Sequence, residues 1–350
     1  MEITLRRVGS GFTGLALLAG LAAFAASGSS PASAASTKLT KVAIATPAKT
    51  NDYGWNSQGV VGLETAAKAY GLQVKVVPNI GYNNTVSVLR QLAQQGYGLI
   101  IAHASGYDTQ AKQIAAQYKI PTITYDIPTY LQKGVLSNIT TSSQQGAYLA
   151  GILAANTTKT NKIGVIISAS DTNWYEMEGG YAAGAHSVNP KLTIVSAQIG
   201  SASYDDSAGG KRVATSMIAT GADVIFAMGD DSSFGYLQGI STAKPGHKVW
   251  YIGDIGNMTP IDTSHVLLSS VLWNFANVDK AIIGDVEHGT FGTHGYNLTL
   301  GNGGISLLKS SYISASLWSK IMTAQKGIIA GTIKVPDATT AGAAQKLLKG

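Results

Sequence analysis

Residues 41–71, KVAIATPAKTNDYGWNSQGVVGLETAAKAYG, contain the unit from which the rest of the chain can be read. Lys41 to Thr46 is a short β-branched, apolar run of the kind a buried strand requires, and Pro47 to Gly54 is rich in turn formers. Asn56 can cap a helix in which Val60, Leu63, Ala67 and Tyr70 recur at helical spacing, and Gly71 stops it. Strand, loop and helix therefore follow one another within one short segment.

The unit repeats. Gln73 to Val77 reads as a strand, Asn84 to Gln95 as a helix with Val88, Leu89 and Leu92 inward, and Gly98 to Ala104 as another strand. Tyr107 to Tyr118 and Pro121 to Asp126 continue the alternation. Nearly continuous apolar strands separated by helices argue for a parallel, doubly wound sheet. A helix from Ser142 to Asn156 leads to a second run of the same design. It has strands at Lys162, Thr193 to Ile199, Asp223 to Ala227 and Val249 to Gly253, and helices near Trp174 to Ser187 and Asp206 to Thr220.

The expected fold class is α/β, with two doubly wound parallel-sheet lobes joined by a hinge that the chain crosses several times. One lobe takes residues 38–140 plus about 274–303, the other 141–273 plus about 304–350. At 350 residues the chain exceeds the usual size of one core, which supports two lobes. The gap between them is then lined by the carboxyl ends of both sets of strands.

Bulk properties narrow the function. Charged residues make up 13% of the chain, against roughly 25% in an average soluble protein. The net charge is +6, but no run of Lys and Arg interleaved with aromatics appears, which argues against nucleic acid as a partner. The chain has no cysteine, so disulfides, thiolate metal sites, cysteine nucleophiles and a lipoprotein anchor are excluded.

The N-terminus reads as an export signal in residues 1–34. Arg6 and Arg7 precede an apolar stretch from Phe12 to Ala26, shorter than the ~20 residues a spanning helix needs. Ala32-Ser33-Ala34 forms a small-residue cleavage site, placing the mature start near Ala35. The expected location is periplasmic or extracellular, associated with the cell surface.

In open α/β sheets ligands bind just beyond the strand tips. The candidate contacts at these tips are Asp52, Trp55, Asn56, His103, Tyr107 and Asp126 from the first half, with Trp174, Tyr204, Asp205, Asp230, Asp254 and Trp273 from the second. Rings alternating with Asp and Asn suit a flat, hydrogen-bonding guest: aromatic faces stack on it, and amides and carboxylates fix its edges. Several of these residues have structural alternatives. Trp55 can pack under its helix, Asp254 can be a turn residue, His103 can be a hydrogen-bonded core histidine, and Asp205-Asp206 can begin a helix.

Catalytic motifs are missing. Ala208 to Arg212 is no phosphate loop, because Asp205 stands where its first glycine belongs and Arg212 replaces the hydroxyl residue. There is no G-x-S-x-G or H-E-x-x-H, and His288 and His294 lack helical ligand spacing. No enzyme activity, cofactor or metal is expected.

At these residues the chain resembles the basic membrane protein family of substrate-binding proteins, whose members include purine nucleoside receptors of ABC importers. Asn51 to Asn56 resembles the family's D-D-K-S-F-N, and Tyr148 to Gly151 its Y-L-A-G. Lys162 to Gly164 resembles K-I-G, and Glu178 to Ala185 the G-F-x-x-G-A helix with Asn189-Pro190 downstream. Gly221 to Ile225 and Ile252 to Asp254 complete the likeness.

The resemblance implies a type I periplasmic binding protein fold and a monomer that closes on a purine nucleoside or base and delivers it to an importer permease. It implies Trp55 as a ring near the base with Asn56 beside it, Tyr204 as a second ring, and Asp254 as a carboxylate for ribose hydroxyls. Trp273 stands where nucleoside receptors place a lysine, which favours a free base or modified sugar. A sugar receptor of the same fold, a secreted hydrolase and a sensor for a membrane partner are the competing readings.

Overall fold

The computed structural model of the protein describes residues 38–243 and 246–350, and the export segment read in residues 1–34 lies outside them. The first run contains β1 (Lys41–Ala45), α1 (Trp55–Tyr70), β2 (Gln73–Val77), α2 (Thr85–Gln94), β3 (Leu99–Ala102), α3 (Asp108–Tyr118), β4 (Thr122–Tyr125) and β5 (Leu136–Thr141). The second contains α4 (Ser143–Thr157), β6 (Lys162–Ile167), α5 (Thr172–Val188), β7 (Thr193–Gln198), α6 (Ser207–Ala219), β8 (Val224–Met228), α7 (Ser232–Thr242), β9 (Trp250–Ile255) and β10 (Leu267–Trp273). Next come α8 (Ala276–His288) and β11 (Tyr296–Leu298), then β12 (Ile305–Leu307), α9 (Ala315–Ile329) and α10 (Ala341–Leu347).

Two six-stranded sheets result, in the orders β11-β5-β4-β3-β1-β2 and β12-β10-β9-β8-β6-β7. The first is parallel throughout. The second is parallel except at β12, which runs antiparallel to β10. The chain passes between the sheets after Thr141, after Trp273 and after Leu298.

Burial follows the sequence pattern. Val42, Ile44, Leu99 and Ile123 are fully buried between the helices of the first lobe, each contributing roughly 1.5–3 kcal/mol of transfer free energy. In the second lobe α4 lies directly on α5. A Cβ at Gly184 would fall 2.0 Å from the Tyr148 carbonyl oxygen, and one at Gly151 2.1 Å from that of Tyr181. The glycines of the Y-L-A-G and G-F-x-x-G-A segments thus let two helix backbones touch.

Both strand orders reverse direction once, between β1 and β3 in one sheet and between β6 and β8 in the other. Loops leaving neighbouring strands diverge at such a point and open a crevice at the carboxyl edge. The loops after β1, β3, β6 and β8 therefore flank the crevice in which a ligand can be held.

The start of α1 differs from the sequence expectation. Asn56 does not cap it; the helix begins at Trp55, and its first amides are satisfied by two aspartates. Asp52 takes Asn56 N–H (2.9 Å) on Oδ2 and Ser57 N–H (2.9 Å) on Oδ1. Asp230, from the other lobe, takes Trp55 N–H at 3.0 Å. An anion at this position also offsets the helix dipole.

Candidate ligand-binding site

A cavity of about 720 Å³ lies between the two sheets. The first lobe contributes Pro47, Ala48, Trp55 and Asn56 after β1, Tyr82 after β2, and Ala104 to Gly106 after β3. The second contributes Asp171, Asn173 and Trp174 after β6, Ala202 to Asp206 after β7, Asp230 after β8, and Ile255 and Trp273 at the ends of β9 and β10.

Trp55 is held rigidly. Its ring stacks on His103 with centroids 4.3 Å apart and planes 17° from parallel, and its Nε1–H donates to the His103 carbonyl at 3.0 Å. Tyr125, Trp273 and Phe275 meet it edge-on. With one face covered by the imidazole, the indole has its other face for the cavity.

His103, expected at the ligand, is instead fully buried behind Trp55. Its Nε2 lies 2.9 Å from the Trp55 carbonyl, which only accepts, so Nε2 carries the proton and Nδ1 accepts from the Tyr125 hydroxyl at 2.6 Å. Burial pushes its pKa down to about 4.

The sign of that shift yields a prediction. In the unfolded chain a histidine titrates near pH 6.5, so the stability His103 contributes is complete above about that value and lost as pH falls toward 4. The stability gap between wild type and His103→Gln should shrink by up to about 3 kcal/mol between roughly neutral pH and pH 4, read by urea unfolding across the range. Parallel pH profiles would contradict the buried neutral imidazole.

Of the other expected contacts, Asn56, Trp174, Tyr204, Asp205, Asp230 and Trp273 join Trp55 in the cavity wall. Asn56 has little left to offer a ligand: its Nδ2–H donates to Asp52 at 2.7 Å and its Oδ1 accepts from Ala48 N–H at 3.4 Å. The Tyr204 hydroxyl donates to Asp171 Oδ2 at 3.0 Å, and the Trp174 indole N–H to Ser168 at 3.1 Å. Trp273 is 2% exposed and edge-on to Trp55, so it backs that ring rather than offering the open stacking face expected of it.

Four expected residues besides His103 lie outside the wall. Asp52 spends both oxygens on α1. Tyr107 is buried, with its hydroxyl donating to the Gly81 carbonyl at 2.6 Å. Asp126 sits behind Ser105, which donates to it at 2.5 Å, and takes a long 3.5 Å contact from Asn173 of the other lobe. Burial is the main cause that raises its pKa to about 6.

Asp254 accepts from the amide of its own neighbour Ile255 at 2.7 Å, while its buried Oδ2 has no partner. Burial holds its pKa well above the ordinary carboxylate value, and it stands behind the wall rather than among the lining residues.

The strand tip at Asp171 to Trp174 does line the cavity, with Asp171 and Asn173 beside Trp174, whereas sequence reasoning missed Tyr82 and Ile255 as contacts. Tyr82 follows the tip of β2 and obeys the same strand-end rule as the residues that were chosen. Ile255 carried no signal, since a β-branched residue at φ 61° is a strained choice no pattern suggests. Asp206 caps α6 through Gly209 N–H at 2.8 Å, in keeping with the helix-start alternative for Asp205-Asp206.

The lobes also touch directly. Besides the Trp55 amide on Asp230, the Tyr53 ring meets Phe234 edge-on at 6.2 Å. Gly256 approaches Tyr53 so closely that a Cβ would fall 1.8 Å from its carbonyl oxygen. The loop after β1 is thus seated on the second lobe at three places. Among the described residues no group of three or more His, Asp or Glu could hold a metal, and no helix is long and apolar enough to cross a membrane.

Two parallel α/β lobes with a cleft at their strand tips define the type I solute-binding fold. An ABC transporter solute-binding protein from Aeropyrum pernix shares it, with a TM-score of 0.75 at 20% identity over 88% of this chain and 96% of that one. An ABC transporter periplasmic solute-binding protein from Actinobacillus succinogenes with bound D-allose does so at a TM-score of 0.58 and 17% identity, over 77% of this chain and 97% of that one.

The family is narrower than the fold. A family model for PnrA-like ABC transporter substrate-binding proteins matches residues 39–339, and the chain belongs to this Bmp family. It is 30% identical over 319 residues to the ABC transporter nucleoside-binding protein BmpA of Lactococcus lactis subsp. cremoris, covering 85% of this chain and 89% of the relative.

Proposed function

We propose that this substrate-binding protein is exported, works as a monomer, and captures a purine nucleoside or nucleobase between its lobes for delivery to an ABC importer permease. The observation that carries this reading is a cavity walled by both lobes, which are tied together at its wall by the Trp55 amide on Asp230. A guest touching both walls stabilises the closed form alone, and the permease can sense that form.

The size, about 720 Å³, lies in the range of small-ligand pockets. Trp55 and Tyr204 supply ring faces from opposite lobes, each worth ~1–3 kcal/mol against a base. No Lys, Arg or His stands among the lining residues, so a phosphate has no cation to meet and nucleotides are disfavoured. The L. lactis relative is named as nucleoside-binding, which agrees.

No covalent step is required. The D-allose complex of the A. succinogenes neighbour keeps a sugar ligand as the competing reading. Thermal-shift measurements with adenosine, guanosine, inosine, adenine, hypoxanthine, ribose, glucose and galactose decide between them. Stabilisation by purines is the expected result, and stabilisation by sugars alone would overturn it. Steady release of free base from a nucleoside would instead reveal a hydrolase.

A further inference from the structure

The charges around the cavity are one-sided. Asp171, Asp205, Asp206 and Asp230 line it, and among the described residues no cationic side chain does. Asp171 and Asp206 are largely spent: the first accepts from Asn173 N–H and the Tyr204 hydroxyl, the second caps α6. Asp230 and Asp205 each engage only Oδ1, with Trp55 N–H and Asp231 N–H respectively.

Asp230 matters most because it is 8% exposed, lines the cavity and keeps Oδ2 without a hydrogen-bond partner among the described residues. Burial is the main cause that raises its pKa well above the ordinary carboxylate value, and the neighbouring Asp52, Asp205 and Asp254 add to it, so a cationic guest is what would restore its charge. Lys49 eases the repulsion only at Asp231 and is itself exposed, outside the wall. Around these carboxylates stand Trp55, Trp174, Tyr204 and Trp273, and ring faces attract cations as well as flat bases.

A cleft that buries Asp230 and holds the more exposed Asp205 beside aromatic rings, with no cation among its lining residues, is complementary to a guest that brings one. We propose that the ligand carries a positive charge: a flat heteroaromatic bearing a protonated or alkylated nitrogen, held at Asp230 and Asp205 with its ring against Trp55 and Tyr204. This inference rests on the cleft being the capture site described above and sharpens the purine reading to cationic members. It separates them from neutral nucleosides, which leave the two carboxylates unpaired.

Matched pairs that differ by one methyl group and one charge test it by calorimetry on the full mature chain. Adenosine is compared with 1-methyladenosine, a cation near neutral pH, and nicotinamide with 1-methylnicotinamide. The expected result is at least tenfold tighter binding of the cation, about 1.4 kcal/mol, with the ratio collapsing in Asp205→Asn. Folding of that variant is checked by its unliganded melting temperature.

Equal or tighter binding of adenosine overturns the charge inference and leaves the purine reading standing. Preference for the cation in the pyridine pair, with neither purine binding, supports the charge inference and sinks the purine reading. Failure of all four to bind overturns the charge inference.

Discussion

Gly256→Ala is expected to hold the lobes apart without unfolding either. The added methyl would sit 1.8 Å from the Tyr53 carbonyl oxygen and 2.7 Å from its carbon, both backbone atoms of the other lobe. Separation of the lobes relieves that clash at no cost to either core, so opening is the path of least resistance. Asp230 then loses the Trp55 amide, and the cavity loses one wall.

Affinity should fall at least tenfold, about 1.4 kcal/mol or more, because closure and binding are one equilibrium. Small-angle scattering should show no contraction on ligand addition, while the unliganded melting temperature changes little. Ligand-induced contraction equal to that of wild type would show that the Tyr53 contact is not part of closure.

Trp55→Ala should have a comparably large effect for a different reason. It removes the ring face offered by the first lobe, and stacking of this kind contributes ~1–3 kcal/mol, so binding should weaken roughly five- to 150-fold. It also strips the cover from the buried His103, so some loss of stability accompanies it. Trp55→Phe separates the two: it keeps a ring but loses the 3.0 Å hydrogen bond to the His103 carbonyl. A Phe variant that binds nearly as well as wild type, beside an Ala variant that does not, would assign the effect to stacking. Normal affinity in both would remove Trp55 from the site.

How legible this was in the sequence depended on the kind of signal. The parallel lobes followed from apolar runs such as Lys41 to Thr46 and Gly98 to Ala104, where burial on both faces leaves an unmistakable pattern. Later elements were harder. Strands β11 and β12 have three residues each, and α7, SSFGYLQGIST, mixes glycine and serine into its buried face, so neither period stands out.

At the site, the strand-tip rule found the right loops but could not say which side chain on a loop faces the gap. Asp52 and Asp230 look alike in sequence; one caps its own helix and the other caps that same helix from across the cleft. His103 and Tyr107 flank the loop that lines the cavity yet turn into the core, because the fully buried Tyr125 and the Gly81 carbonyl receive them there. Such assignments rest on tertiary partners that no local pattern encodes.

The account depends on two lobes shutting over a guest, and the absence of cysteine from the chain makes this directly measurable. Glu64 in the first lobe and Ser216 in the second are exposed helix positions, so Glu64→Cys with Ser216→Cys accepts two spin labels. Pulsed dipolar spectroscopy is then recorded with and without a saturating purine that calorimetry shows to bind. The account predicts that ligand collapses a broad distribution of distances onto one shorter distance. An unchanged distribution in the presence of bound ligand would contradict it.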